Sequence, residues 1–154
     1  MATIDLNNDK TKSYPAPNPL SGQEYYIARD ILGSEIANTG ASTDTYKIMK
    51  VAANQLITSI RVVVTDADNS ANSMDLGYTD GTNTSATYFS AAIDVSSTGC
   101  KAVIADKQFL AALDTDITLI PNDTLESDTR FSIIMGVIDL NGKQGETLTA
   151  PITQ

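Results

Sequence analysis

Two clusters of carboxylates are the residues whose spacing could support acid–base chemistry. Asp114 and Asp116 form one cluster, and Asp123, Glu126 and Asp128 form the other. Glycoside hydrolysis uses such carboxylate pairs, one as acid and the other as base or nucleophile. Each cluster, however, flanks a predicted strand end, where acidic turn residues are common. The chain also has no Trp to serve as a sugar platform. We therefore interpret both clusters as turn residues.

Nucleophilic catalysis is disfavoured because the chain contains no histidine. Histidine is the commonest general base and the commonest metal ligand. The many Ser and Thr hydroxyls therefore have no Ser–His pair to activate them, and no S-x-x-K pattern replaces it. Cys100 is the only cysteine, with Lys101 as its one basic neighbour, and we predict a partly buried, unreactive thiol. The sequence predicts no enzyme, no cofactor and no catalytic set.

A possible calcium loop begins at Asp66 but does not match the EF-hand pattern. That pattern needs Gly at its sixth position and Glu at its twelfth, which here are Ala71 and Gly77. An Asp- and Asn-rich hairpin turn is the ordinary interpretation, with a non-EF calcium site as the alternative. Gly77 and Gly81 begin no helix, so they mark a tight turn or a bulge rather than a phosphate loop.

Short alternating apolar runs must position these residues. The clearest is 56–65, closed by turn residues, and it predicts a half-buried strand with Leu56, Ile60, Val62 and Val64 on one face. Segment 34–37 could form one helical turn, and 107–113 could be helix or strand. The other predicted strands are 25–32, 45–51, 74–78, 88–95, 100–104, 116–120 and 130–140. About eight short antiparallel strands without long helices predict an all-β domain: a single β-sandwich, jelly roll or small barrel.

The ends of the chain differ from this body. Residues 1–22 are polar and carry prolines at 15, 17 and 19, which predicts an extended N-terminal arm. The arm is either a disordered tail or a segment that orders on a neighbouring subunit, where Tyr14 and Leu20 would supply apolar contacts. We predict a β-sandwich domain over 23–142 and a polar C-terminal tail over 143–154.

The last predicted strand is apolar on both faces. One face carries Phe131, Ile133, Met135 and Val137. The other carries Ile134, Ile138 and Leu140. A sandwich has one inner face, so a loop, the arm or another subunit must cover the outer one. We favour a subunit, which makes Tyr14, Leu20, Ile134, Ile138 and Leu140 the candidate oligomer or capsid interface.

Composition restricts the partners. The net charge of −9 disfavours nucleic acid and anionic membranes, and could complement a basic patch on a protein. Asp outnumbers Glu 15 to 4, which favours turns over helices. No secretory signal is predicted, and the longest apolar stretch, 131–140, is too short for a membrane helix. A lone cysteine fits folding in a reducing cytoplasm.

The order of these elements resembles a known family. The strand, small apolar turn and strand over 44–57, the D-L-G-x-x-D-G passage within 74–81, and the strands over 113–120 and 131–140 are similar to small tailed-bacteriophage virion proteins of the head decoration, cement or head-fibre type. The resemblance covers 44–140 and departs in the arm and in 100–110.

The resemblance implies a non-enzymatic β-sandwich on the capsid exterior, made in the host cytoplasm. Its implied partners are two further copies of itself, as a homotrimer, and the major capsid protein. The alternative is a carbohydrate- or receptor-binding β-sandwich of a fibre or adhesin.

Overall fold

The computed structural model describes residues 3–5, 24–37, 44–70, 72–104 and 106–140. These form ten strands and one short helix. Along the chain they are β1 Thr3–Asp5, β2 Glu24–Leu32, α1 Gly33–Ala37, β3 Thr45–Val51, β4 Gln55–Asp66, β5 Ser73–Thr79, β6 Thr84–Asp94, β7 Gly99–Ile104, β8 Phe109–Leu110, β9 Thr115–Pro121 and β10 Arg130–Asp139.

The strands form two sheets that face each other. The first sheet has the order β1-β3-β9-β5-β6, and the second has the order β2-β10-β4-β7, with β8 also pairing with β4. The β1–β3 pair is parallel, and every other pair in the described chain is antiparallel. The predicted all-β sandwich is confirmed. The described strands number ten rather than about eight because β1 and β8 are only three and two residues long.

The core lies between the sheets and centres on β10. Phe131, Ile133, Met135 and Val137 are all fully buried, as predicted. They meet Ile60, Val62 and Val64 of β4 in the same sheet, and Ile48 and Leu119 of the first sheet complete the same cluster. Burying each such side chain stabilises the fold by roughly 1.5–3 kcal/mol.

One charged side chain links the two sheets within this core. Arg29 of β2 is buried, and its guanidinium donates a hydrogen bond to the carbonyl oxygen of Ile48 on β3. A buried charge needs such hydrogen bonds to offset its lost hydration. The contact also shows that β2 of the second sheet lies across the core from β3 of the first sheet.

A β-bulge in β4 corrects one prediction. The register against β10 shifts between Gly136 and Val137, so Ser59 and Ile57 are consecutive partners and Thr58 is the extra residue. The extra residue reverses the alternation. Leu56 therefore lies on the outer face, half-buried, and its predicted place beside Ile60 on the inner face is wrong.

A second irregularity lies where β5 pairs with β6. The register shifts on both sides of Leu76, and Gly77 packs so closely on β6 that a Cβ would lie 1.9 Å from the carbonyl oxygen of Ser85. Ala92 adopts a φ of 53°, in the left-handed region, and its amide donates a hydrogen bond to the Asp75 carboxylate at 2.8 Å. The bulge interpretation of Gly77 is confirmed.

The remaining predicted strands are found within one residue of their expected bounds, except that β6 begins at Thr84 rather than at 88. The helical turn is α1, five residues long, and the ambiguous segment 107–113 contains the short strand β8 rather than a helix. No helix in the described ranges is long and apolar enough to cross a membrane. The predicted tail 143–154 and most of the predicted arm lie outside the described residues.

Asp68 joins the turn after β4 to the loop before β10. Its side chain is fully buried and accepts hydrogen bonds from the amides of Ser70 at 2.8 Å and Glu126 at 2.9 Å, and from the hydroxyl of Thr129 at 3.5 Å. A buried acceptor set of this kind must be satisfied. These bonds hold the loop before β10 against the turn that follows β4.

We expect Asp68→Asn to destabilise the protein by about 1–3 kcal/mol, because the new amide group must face a backbone donor. Asp66 is exposed at the end of β4, two residues before Asp68. Asp66→Asn is therefore the matched control and should change the free energy of unfolding little. Urea unfolding followed by circular dichroism measures both variants. Equal stability of the two would show that the Asp68 bonds contribute nothing.

Candidate functional site

The carboxylate clusters are occupied by structural contacts. Asp114 accepts a hydrogen bond from the amide of Ala53 at 3.0 Å, whereas Asp116 forms an ion pair with Lys47 at 2.9 Å. In the second cluster, Glu126 accepts from the side-chain amide of Asn69 at 2.8 Å. These three acids therefore bind different parts of the chain. Asp114 and Glu126 lie in turns or loops, as predicted, whereas Asp116 lies within β9, so its interpretation as a turn residue is wrong.

The carboxylates of the possible calcium loop are likewise engaged by main-chain amides of the loop and of other segments. The carboxylates of Asp68 and Asp75 both accept main-chain hydrogen bonds. Within the part of the chain that the structure describes, no group of three or more His, Cys, Asp or Glu side chains could hold a metal ion. Cys100 is exposed, so the prediction of a partly buried thiol is wrong; β7 is an edge strand, and its outer side chains have no neighbour on one side.

Asp94 is the most strongly perturbed carboxylate. The hydroxyl and amide of Ser96, at 2.5 and 2.8 Å, lower its pKa to about 2, and Ser97 and Lys101 add smaller contributions in the same direction. Lys101 lies 3.6 Å from the carboxylate. The side chain of Asp94 is about half exposed and ends β6, so it fixes the turn between β6 and β7.

We expect Ser96→Ala to raise the pKa of Asp94 toward its ordinary 3.8, since it removes the largest cause of the shift. In the wild-type protein the pKa of Asp94 is lower in the folded state than in the unfolded state. The contribution of Asp94 to the free energy of unfolding is therefore complete above about pH 4 and is lost as the pH falls toward 2. Carbon-detected NMR titration of the carboxyl group measures the change. Ser97→Ala is the control and should give a smaller rise; an unchanged pKa in Ser96→Ala would contradict the assignment.

The outer face of the second sheet carries a row of apolar residues outside the core. Ile138 of β10 lies opposite Leu56 of β4, which in turn lies opposite Leu110 of β8, so one apolar row crosses three strands. Tyr26 and Ile134 continue the same face on β2 and β10. Tyr26 is 59% exposed and Leu110 is 55% exposed, while the other three are half-buried. We call these five residues the outer patch.

A polar bridge crosses the outer patch at its centre. Thr58 donates a hydrogen bond to the Glu24 carboxylate, and the pair passes over Gly136 of the intervening strand. A Cβ at Gly136 would lie 2.6 Å from the Thr58 hydroxyl oxygen. The absence of a side chain at Gly136 therefore allows β2 and β4 to be joined across β10, and it keeps the middle of the patch flat.

The outer face of the first sheet is different in character. It carries the Lys47–Asp116 ion pair, together with Lys50 and Thr79, and Ile120 is its half-buried apolar residue. Charged and hydroxyl side chains suit a face in contact with water. Of the two outer faces, the second sheet's is the one suited to a protein contact.

The predicted interface residues are thus placed in part. Ile134 and Ile138 lie in the outer patch, and Leu140 is half-buried just beyond β10. Tyr14 and Leu20 lie outside the described residues. The sequence reasoning missed Tyr26, Leu56 and Leu110. The alternation of β2 could have indicated Tyr26, but Leu110 joins the patch only through the pairing of β8 with β4.

An aromatic cluster joins strands β5 and β6 of the first sheet to β8 of the second sheet. The ring centroids of Tyr78 and Phe109 are 4.5 Å apart, and those of Tyr78 and Tyr88 are 5.3 Å apart with the rings nearly perpendicular. Phe89 packs edge-on against Tyr88 at 5.0 Å. Edge-to-face contacts of this kind stabilise a core. The rings therefore join β5 and β6 to β8.

The fold is similar to chains in three phage capsid structures. The capsid of Ralstonia phage GP4 contains a chain with a TM-score of 0.63 and 16% identity, covering 90% of this chain and 98% of that one. The acidic stable capsid of Helicobacter pylori bacteriophage KHP30 contains a chain with a TM-score of 0.58 and 14% identity, and the match covers 79% of this chain and 91% of that one. The capsid asymmetric unit of cyanophage Pam1 contains a chain with a TM-score of 0.54 and 14% identity, and the match covers 87% of this chain and 98% of that one.

At these identities the likeness establishes a shared fold. Because part of this chain covers nearly all of each capsid chain, the whole two-sheet unit is shared rather than one motif within a larger protein. No family model and no curated protein matches the sequence.

Proposed function

We propose that this chain is a non-enzymatic structural protein of a bacteriophage virion, which decorates and stabilises the outside of the capsid as a homotrimer. The observation that carries the proposal is the apolar outer patch, on a fold that is shared over 90% of this chain with a chain of a phage capsid. The carboxylates that could have supported catalysis are engaged in turns and ion pairs instead.

The outer patch is assigned to the contact between copies of the chain. Interfaces between identical subunits are more apolar than other protein surfaces, and aromatic residues are enriched in them. Tyr26 and Leu110 would supply exposed anchors, and the half-buried Ile134 and Ile138 would supply the flat apolar area between them. Leu140, and the apolar Tyr14 and Leu20 of the predicted arm, would extend this contact.

The major capsid protein is the second proposed partner. A chain with a net charge of −9 is suited to a basic patch on the capsid surface, and such charge complementarity favours correct association. A trimer can place three identical contacts on the lattice at once, so that weak individual contacts add to a strong attachment. Synthesis in the host cytoplasm requires no disulfide, in agreement with the single cysteine.

We expect size-exclusion chromatography with light scattering to give three times the 16.4 kDa chain mass. We also expect the purified protein to sediment with capsids made without it, and to raise the temperature at which they open. A monomer that ignores such capsids would overturn the proposal. Binding on a glycan array instead would favour the fibre or adhesin alternative.

Charge in the outer patch should dissociate the oligomer. We expect Tyr26→Glu and Leu110→Glu, each at a position more than half exposed, to shift the mass to that of a monomer and to lower capsid binding at least tenfold. Both variants should keep the wild-type circular dichroism spectrum.

Thr84→Glu is the matched control, because it places the same charge on an exposed position of the first sheet. It should remain oligomeric and bind capsids normally. Patch variants that stay oligomeric would exclude the outer patch as the subunit contact.

A further inference from the structure

The pairing of β1 with β3 differs from every other pair in the described chain. It is parallel and only three residues long, with Thr3, Ile4 and Asp5 opposite Thr45, Tyr46 and Lys47. The antiparallel pair β3–β9, by comparison, spans most of β3. A parallel pair cannot be closed by a tight turn, so the local chain does not determine which copy supplies β1.

The edge that β1 covers needs a partner. β3 presents Tyr46, Ile48 and Val51 to the core, and without β1 its other edge would expose unpaired amides and carbonyls beside this apolar strand. Such an edge is prone to pair with other chains. The hydrogen bonds that β1 donates and accepts are the same whether it comes from the same copy or from another.

The connection from β1 to β2 is much longer than a path within one copy requires. The Arg29–Ile48 bond places β2 opposite β3, so the distance from Asp5 to Glu24 is about one sandwich thickness and five residues of strand, roughly 20 Å. Residues 6–23 are eighteen in number and can span roughly 60 Å when extended.

We propose that, in the oligomer, β1 of each copy pairs with β3 of a neighbouring copy, so that the strands are exchanged around the ring. The proposal rests on the homo-oligomer of the proposed function. The prolines at 15, 17 and 19 favour an extended connection, which promotes exchange over return to the same copy. Exchange adds a backbone contact between copies to the side-chain contact of the outer patch.

A disulfide across the pair tests the exchange. Cα partners on adjacent strands lie within the range that a disulfide can bridge, so Thr3→Cys with Thr45→Cys should oxidise where the two strands meet. Cys100→Ser in the same chain removes the exposed native thiol. We expect most of the oxidised protein to run as covalent dimers and trimers on a denaturing gel, and to return to 16.4 kDa on reduction.

The single variants Thr3→Cys and Thr45→Cys, in the same background, are the controls for random cross-linking and should give no trimers. A disulfide confined to single chains within an intact oligomer would overturn strand exchange and leave the proposed function standing. A disulfide confined to single chains of a monomer would overturn both.

Hydrogen exchange gives a second readout that needs no substitution, and it decides the question if the cysteines do not oxidise. Strand exchange predicts that the amides of β3 that face β1 are freed each time the oligomer dissociates, before β1 returns to its own copy, so that they exchange faster on dilution while those of the central strand β10 keep their protection. Protection of β3 that does not change with dilution would overturn the proposal.

Discussion

The burial of β10 on its inner face, between β2 and β4, is the constraint on which the rest of the structure depends. Phe131, Ile133, Met135 and Val137 are fully buried and contact both neighbouring strands and the first sheet. A strand in this position fixes the register of both partners, because a slip of one residue would turn every apolar side chain outward. Asp68 holds the loop that leads into β10, and the Glu24–Thr58 bond joins β2 to β4 across β10.

The same strand also explains the proposed assembly. Its outer residues Ile134 and Ile138 are apolar but cannot enter the core, since alternation directs them to the other face. With Tyr26 and Leu110 they give the outer face of the second sheet an apolar surface that is crossed by the Glu24–Thr58 bond, while the outer face of the first sheet carries an ion pair. A contact between copies on that face would cover the apolar surface, and exchange of β1 between copies would join the edges of their first sheets.

Most of the fold follows from local pattern. Alternation and turn residues predicted β3 with its observed bounds and β4 to within one residue at each end, because a half-buried strand imposes period two on its side chains. Errors arose where that period is interrupted. The bulge at Thr58 moved Leu56 to the outer face, and the short strand β8 was ambiguous because two residues carry too little pattern.

The sequence by itself determined the all-β class, the double apolar character of β10 and the turn positions of acidic residues such as Asp114 and Asp123, since these depend on neighbours within a few positions. The tertiary structure decided which residues share a surface. Leu110 reaches the outer patch through pairing with a strand more than fifty residues earlier, and β1 and β3 pair across about forty residues. Such contacts depend on strand order, which local periodicity does not encode.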